Sequence, residues 1–376
     1  MNKVNGKIKS LQGLRAILIF LIFVVHTSMI GNISSNNVVY KYLASGGGKE
    51  GVAFFFVLSG FVEALHHRDL KLNFSNTKNI LKAKLCKIYG IHLFFLLLTV
   101  PTNIGVIKSN PAKAGFKFVM NLLLLQSWFP DEQIWLGYNS VSWFLSTLMF
   151  LALFIIPLNR IANKIENTNK QTSIYCFVIA TFLLIQFLIA YDVGENCVNL
   201  NYWLYAFPPA RIADYAVGFF LGRLFTSRKL LIEMGVHKAT VFETISIVVF
   251  VGYMLVFPSV PEAYRQSSIY LPGALFVIWV FALNKGIVSK WLSSSIMVYL
   301  GDGAFYYMMS HQVVMRYMGM AHYYFSKINM VKMILMYIPD VFWVAVAFTI
   351  TLVSRPLYEK HIKYKFVNYM GVRNKG

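Results

Sequence analysis

Residues 13–27 read GLRAILIFLIFVVHT. Every side chain between Arg15 and His26 is apolar, and with its flanks the run is long enough to cross a hydrocarbon core of ~30 Å as a helix. Lys3, Lys7 and Lys9 precede it, as basic residues precede the apolar part of a signal peptide. The run is too long for that, it contains Arg15, and it lacks a small-x-small cleavage site, so it reads as a retained span. Runs of the same kind recur to the far end of the chain. Hydrophobic residues make up 57% of the 376 positions and charged residues 13%, about half the share in soluble domains. The expected fold is therefore all-α: a polytopic membrane protein with one bundle of about ten transmembrane helices.

The spans are placed near 12–31, 48–65, 88–107, 141–158, 172–191, 206–224, 240–258, 269–284, 294–317 and 338–355, with a short apolar segment at 115–128 read as re-entrant or interfacial. Pro101, Pro157 and Pro339 fall in or beside spans, where breaks in the helix are tolerated. With both termini cytoplasmic, the inner segments hold 24 of the 35 Lys and Arg and the outer loops eight. That asymmetry follows the positive-inside rule, and shifting the assignment by one span reverses it. The formal charge of +20 is thus explained by topology, and no basic run interleaved with stacking aromatics points to nucleic acid. Cys86, Cys176 and Cys197 are isolated, which suggests neither a disulfide framework nor a metal site. The glycine run at 46–48 is read as a turn in an outer loop, and 1–376 as a single membrane domain.

Arg15 and His26 are eleven residues apart, three helical turns plus about 20°, so they project from one face with a rise of about 16 Å. Either they are anchors, Arg15 snorkelling to headgroups and His26 bonded to a neighbouring helix, or they carry chemistry. His311 lies as far into its outward-running span as His26 does into its own, so the two histidines are expected at one depth and able to face one cavity.

Several further stretches point the same way. Arg-x10-His within LQGLRAILIFLIFVVH, GVAFFFVLSGF at 51–61, SWFLS at 142–146, RIADYAVGFFLG at 211–222, LGDGAFYYMMSHQVV at 300–314 and SRP at 354–356 occur in this order. Together they resemble the integral-membrane acyltransferase family 3, ten-span enzymes that typically O-acetylate surface glycans, over residues 11–357. Ala53 stands where that family usually has an acidic residue, Leu148 where it often has a glutamate, and Lys84 and Lys87 replace an Arg-x-x-Arg pair. Ala304, Phe305 and Met308 replace its customary Ser and Tyr positions before His311.

The resemblance implies an O-acetyltransferase of the cell inner (plasma) membrane, with acetyl-CoA as donor, a cell-surface or lipid-linked polysaccharide as acceptor, and no metal. Acetyl-CoA is a cytoplasmic polyphosphate, so its site needs cations near the inner face. Topology puts Arg15, Lys84 and Lys87 there. His26 is the expected base for the acceptor hydroxyl, with His311 orienting it or the acceptor, and transfer through an acyl-histidine intermediate is the open alternative. Arg211 either meets the glycan or pairs with Asp214. Ser59 and Trp143, in the motif spans, are substrate-binding or structural; Ser59 lacks the GxSxG setting of a nucleophile, and Gly60 reads as a site of close helix packing. The rival class is a transporter or flippase using His26 and His311 as a proton relay.

Overall fold

A computed structural model describes residues 7–30, 38–68, 74–194, 197–227, 234–256, 259–328 and 340–363. Lys3, Lys71, Arg228, Lys229, Lys332, Pro339 and the basic tail beyond 363 lie outside the described residues. In chain order the helices are α1 (Lys9–His26), α2 (Val38–His66), α3 (Phe74–Thr99), α4 (Ile104–Ser109), α5 (Pro111–Leu122), α6 (Glu132–Trp135), α7 (Trp143–Ala152), α8 (Ile155–Glu166), α9 (Gln171–Val193), α10 (Ile212–Ser227), α11 (Val236–Val256), α12 (Glu262–Ser267), α13 (Leu271–Ala282), α14 (Ile287–Leu292), α15 (Ser295–Asp302), α16 (Ala304–Phe325) and α17 (Asp340–Tyr358). No strand occurs among the described residues.

Among the described residues four helices are long and apolar enough to cross a membrane: Lys9–Ile30, Gln171–Val193, Val236–Val256 and Val341–Ile362. Two bent pairs raise the number to six if each is one span. The bends have identifiable causes. Pro101 has no N–H to return to Leu97, and Val100 N–H bonds that carbonyl instead, so the chain turns by 45° between α3 and α4. Pro157 likewise cannot bond Leu153, and α7 stops one residue before it, at a 47° bend into α8. Burial separates α1 from the other long helices. Its apolar window is 61% buried, against 22% for α9 and 17% for α11, whose outward faces are suited to lipid.

The glycine run at 46–48 is not a turn. Helix α2 passes through it. The apolar segment at 115–128 forms the last two turns of α5 and a 3₁₀ turn at Gln126–Trp128.

The chain sorts into two compact units. The first comprises Met1–Leu18, Lys49–Leu81 and Thr147–Asp302. Its centre is the crossing of α2 and α10, where a Cβ on Gly60 would strike the Tyr215 carbonyl and one on Gly218 the Val57 carbonyl. Small residues let the two backbones touch there. Gly218→Leu should therefore cost about 3 kcal/mol in unfolding free energy. Gly252→Ala, in open space on α11, should cost nothing; equal losses in denaturant titrations of the two variants would refute the close-packing account. Elsewhere in this unit, buried Glu243 accepts the N–H groups of Gly286 (3.0 Å), Val288 (2.9 Å) and Ser289 (3.3 Å), capping α14.

The second unit comprises Ile19–Gly48, Lys82–Ser146 and Gly303–Gly376. Phe23, Ile30, Met315 and Ala347 form a buried apolar cluster joining α1, α16 and α17. A polar chain secures the segment ahead of α7. His92 Nε2–H donates to the Asn121 carbonyl (2.8 Å), Ser142 Oγ donates to Asn121 Oδ1 (2.9 Å), and Gln126 Nε2 donates to Ser142 Oγ (3.2 Å). These bonds hold residues 139–142 as a rigid 3₁₀ entry to α7.

Candidate active site

His26 is the last residue of α1, after which the chain tightens into a 3₁₀ turn at Thr27–Ile30. His311 sits in the second turn of α16. The two rings meet edge to face with centroids 5.0 Å apart. His26 Nδ1 is 2.8 Å from the Ile22 carbonyl, His311 Nδ1 is 2.9 Å from the Tyr307 carbonyl, and His311 Nε2 is 3.4 Å from His26 Nδ1.

Those distances assign the protons. A helix carbonyl can only accept, so each Nδ1 carries its hydrogen. The His26 Nδ1–H is then shared between the Ile22 carbonyl and the lone pair of His311 Nε2. What remains unprotonated on His26 is Nε2, a base whose tautomer is held from behind by a second imidazole. His311 is 1% exposed and His26 half-buried, so His26 is the ring a reactant can reach. Phe23 lies against His311 (6.3 Å between centroids) and edge-on to Phe348 (5.2 Å), so the pair stands beside an apolar wall.

Arg15 lies three turns earlier on α1, half-buried, with Nη1 bonded to Gln12 Oε1 at 3.0 Å. The carboxylates whose charge reaches it are Asp302 and Glu63. Lys84 and Lys87 lie on α3 within the second unit, half-buried and exposed respectively.

Other residues singled out in the sequence have structural partners. Arg211 is fully buried and its donors are occupied: Asp214 Oδ2 at 2.8 Å, the Tyr205 carbonyl at 2.8 Å, Tyr270 Oη at 2.6 Å and the Gln266 carbonyl at 3.1 Å. Its guanidinium also stacks 4.9 Å from the Tyr205 ring centroid. Four of its five N–H donors are thereby taken within the protein. Ser59 Oγ donates back to the Phe55 carbonyl (2.7 Å), one turn earlier in the helix. Trp143 is buried edge-on to Trp135 (6.3 Å), and its carbonyl accepts from Ser127 Oγ (2.9 Å).

The structure adds residues that were not singled out in the sequence. Asn139 Nδ2 donates to the Met309 carbonyl (3.0 Å) and Arg316 Nη2 to Ser140 Oγ (3.2 Å), so the entry to α7 lies along α16 beside the histidine. Arg316 carried a visible signal, being an ionisable residue within a span. Asn139 and Ser140 carried none, because their importance comes from a contact 170 or more positions away in the chain.

Comparison with known proteins follows the same line. A family model described as "Acyltransferase domain" matches residues 8–359. The acyltransferase MdmB of Streptomyces mycarofaciens is 25% identical over 324 residues, 83% of this chain and 80% of that protein. No solved structure matches.

Proposed function

The chain belongs to the acyltransferase family 3 and is a membrane acyltransferase, and from that premise we propose that it carries acetyl from cytoplasmic acetyl-CoA to a hydroxyl of a cell-surface or lipid-linked saccharide. The observation that carries this reading is the His26–His311 contact, which leaves His26 Nε2 as an oriented base. His26 Nε2 takes the proton of the acceptor hydroxyl as its oxygen attacks the thioester carbonyl. The tetrahedral intermediate then collapses, the C–S bond breaks, and the CoA thiolate leaves with the proton that His26 returns. Through these steps the lone pair of His311 Nε2 faces the His26 Nδ1–H and holds the ring in place.

Arg15, about 16 Å back along the same helix, is a length that a pantetheine arm can cover. In this reading it takes a CoA phosphate at the inner face, and Lys84 and Lys87, which the positive-inside rule puts on the cytoplasmic side, are further candidate cations for the donor. The family match across residues 8–359 supports one functional domain, and the 24-to-8 charge asymmetry supports ten spans in the inner membrane with both termini inside. Arg15→Ala should raise KM for acetyl-CoA at least tenfold while changing kcat less, about the loss of one charge-assisted phosphate contact. An unchanged KM would remove Arg15 from the donor site.

The test of the whole reading uses the full chain in lipid nanodiscs and in sealed vesicles, supplied with acetyl-labelled CoA and saccharide. Ester label on the saccharide with release of free CoA is expected. Saccharide that crosses vesicle walls without gaining label would show transport instead.

A further inference from the structure

Among the described residues the buried arginines are paired with carboxylates. Arg211 has Asp214 at 2.8 Å, Arg223 has Glu166 at 3.2 Å, and Arg355 has Glu359 at 3.3 Å. Arg316, like half-buried Arg15, departs from the pattern. It is half-buried on α16, its one hydrogen bond is to the neutral Ser140 Oγ, and among the described residues no carboxylate pairs with it. A guanidinium withdrawn from water without a counter-charge is costly, and a protein that keeps one in a span has a use for it.

Its surroundings define the use. Residues 309, 312 and 316 fall within about 60° of one another around α16, and the segment carrying Asn139 and Ser140 is bonded along that face at Met309 and Arg316. Two side-chain oxygens there are buried and unpartnered: Asn139 Oδ1 on a residue 1% exposed, and Gln312 Oε1 on one 4% exposed. Amide oxygens accept hydrogen bonds from hydroxyls; a guanidinium offers a fork of donors to an anion. Arg316 lies about 7.5 Å along the helix axis from His311, and its charge reaches His26.

We propose that Arg316, Gln312 and Asn139 form the acceptor subsite and select a saccharide bearing a negative charge, a carboxylate or a phosphate, whose hydroxyls bond the two amide oxygens. The inference deepens the acceptor reading above and rests on it. An anionic sugar held by Arg316 would present a neighbouring hydroxyl to His26, whereas a neutral sugar would leave the guanidinium bare.

The test is binding rather than turnover, so it can be read even if transfer to saccharide fails. The full chain in nanodiscs is titrated with a galacturonic acid trisaccharide, with galactotriose, and with galactotriose carrying a 6-phosphate, at matched ionic strength. Wild type should bind at least one anionic probe about tenfold or more tighter than galactotriose, and the stronger of the two identifies the charged group. Arg316→Gln should erase that preference, Arg316→Lys should keep part of it, and Gln312→Leu should weaken all probes alike. A wild type without preference overturns the proposal, even if Arg316→Gln proves unstable. So does an Arg316→Gln that still prefers the anion. The preference surviving while His26→Ala transfers normally would instead count against the acyl-transfer reading and leave the anionic subsite in place.

Discussion

His26→Ala is expected to lower acetyl transfer at least about a thousandfold, while acetyl-CoA still binds within about twofold of wild type. General-base assistance by a positioned side chain accounts for 10²–10⁴ in rate, and here the whole of it is assigned to one nitrogen. Donor binding should survive because Arg15 lies three turns away on α1 and makes its hydrogen bond to Gln12, not to the histidines. His311→Ala should fall between, with a loss of roughly 10–100-fold, because it removes the partner of His26 Nδ1 without removing the base. His311→Gln supplies an amide oxygen that can accept the same hydrogen, and should recover much of that loss. The measurement is single-turnover ester formation on purified protein. A His26→Ala variant within tenfold of wild type would end the assignment, and identical losses for His311→Ala and His311→Gln would end the orienting role.

That pair was legible in the sequence to an unusual degree, for a physical reason. Helical periodicity fixes the face on which Arg15 and His26 project, and hydrophobic length fixes how deep His26 and His311 lie, so a depth match can be read before any contact is known. Proline chemistry was equally local: Pro101 and Pro157 mark the bends because a missing N–H acts on the residue four positions back. What composition cannot see is where a helix stops for tertiary reasons. Hydropathy draws 269–284 and 294–317 as spans, yet α13 covers Leu271–Ala282 only, about 18 Å, and the second run is divided at Gly303 between α15 and α16. At Gly303 a Cβ would strike the Arg355 guanidinium, a constraint set by a residue 52 positions away. The glycine run at 46–48 erred in the opposite sense: three glycines signal a turn, yet α2 runs unbroken over Val38–His66. Arg316 and its amide neighbours escaped because a counter-charge is recognised as missing only when every neighbour is known.

Asp214→Leu should destabilise the protein by about 3–5 kcal/mol. The reason lies in what remains rather than in what is removed. Arg211 is fully buried, held by the Tyr205 and Gln266 carbonyls and Tyr270 Oη, and cannot swing to water when its carboxylate is gone. Asp214 also accepts from Tyr270 Oη (3.1 Å), so a hydroxyl donor is stranded with the charge. Removing both charges is a different experiment. Arg211→Met with Asp214→Leu gives a neutral site of similar volume and should regain most of the stability, because the Coulombic gain of a buried pair roughly offsets its desolvation. The double variant also settles what Arg211 is for. A structural pair predicts near-normal stability together with near-normal KM for the saccharide. Restored stability with a KM raised tenfold or more would mean that Arg211 meets the acceptor after all, and the anionic subsite on α16 would then have a competitor on α10.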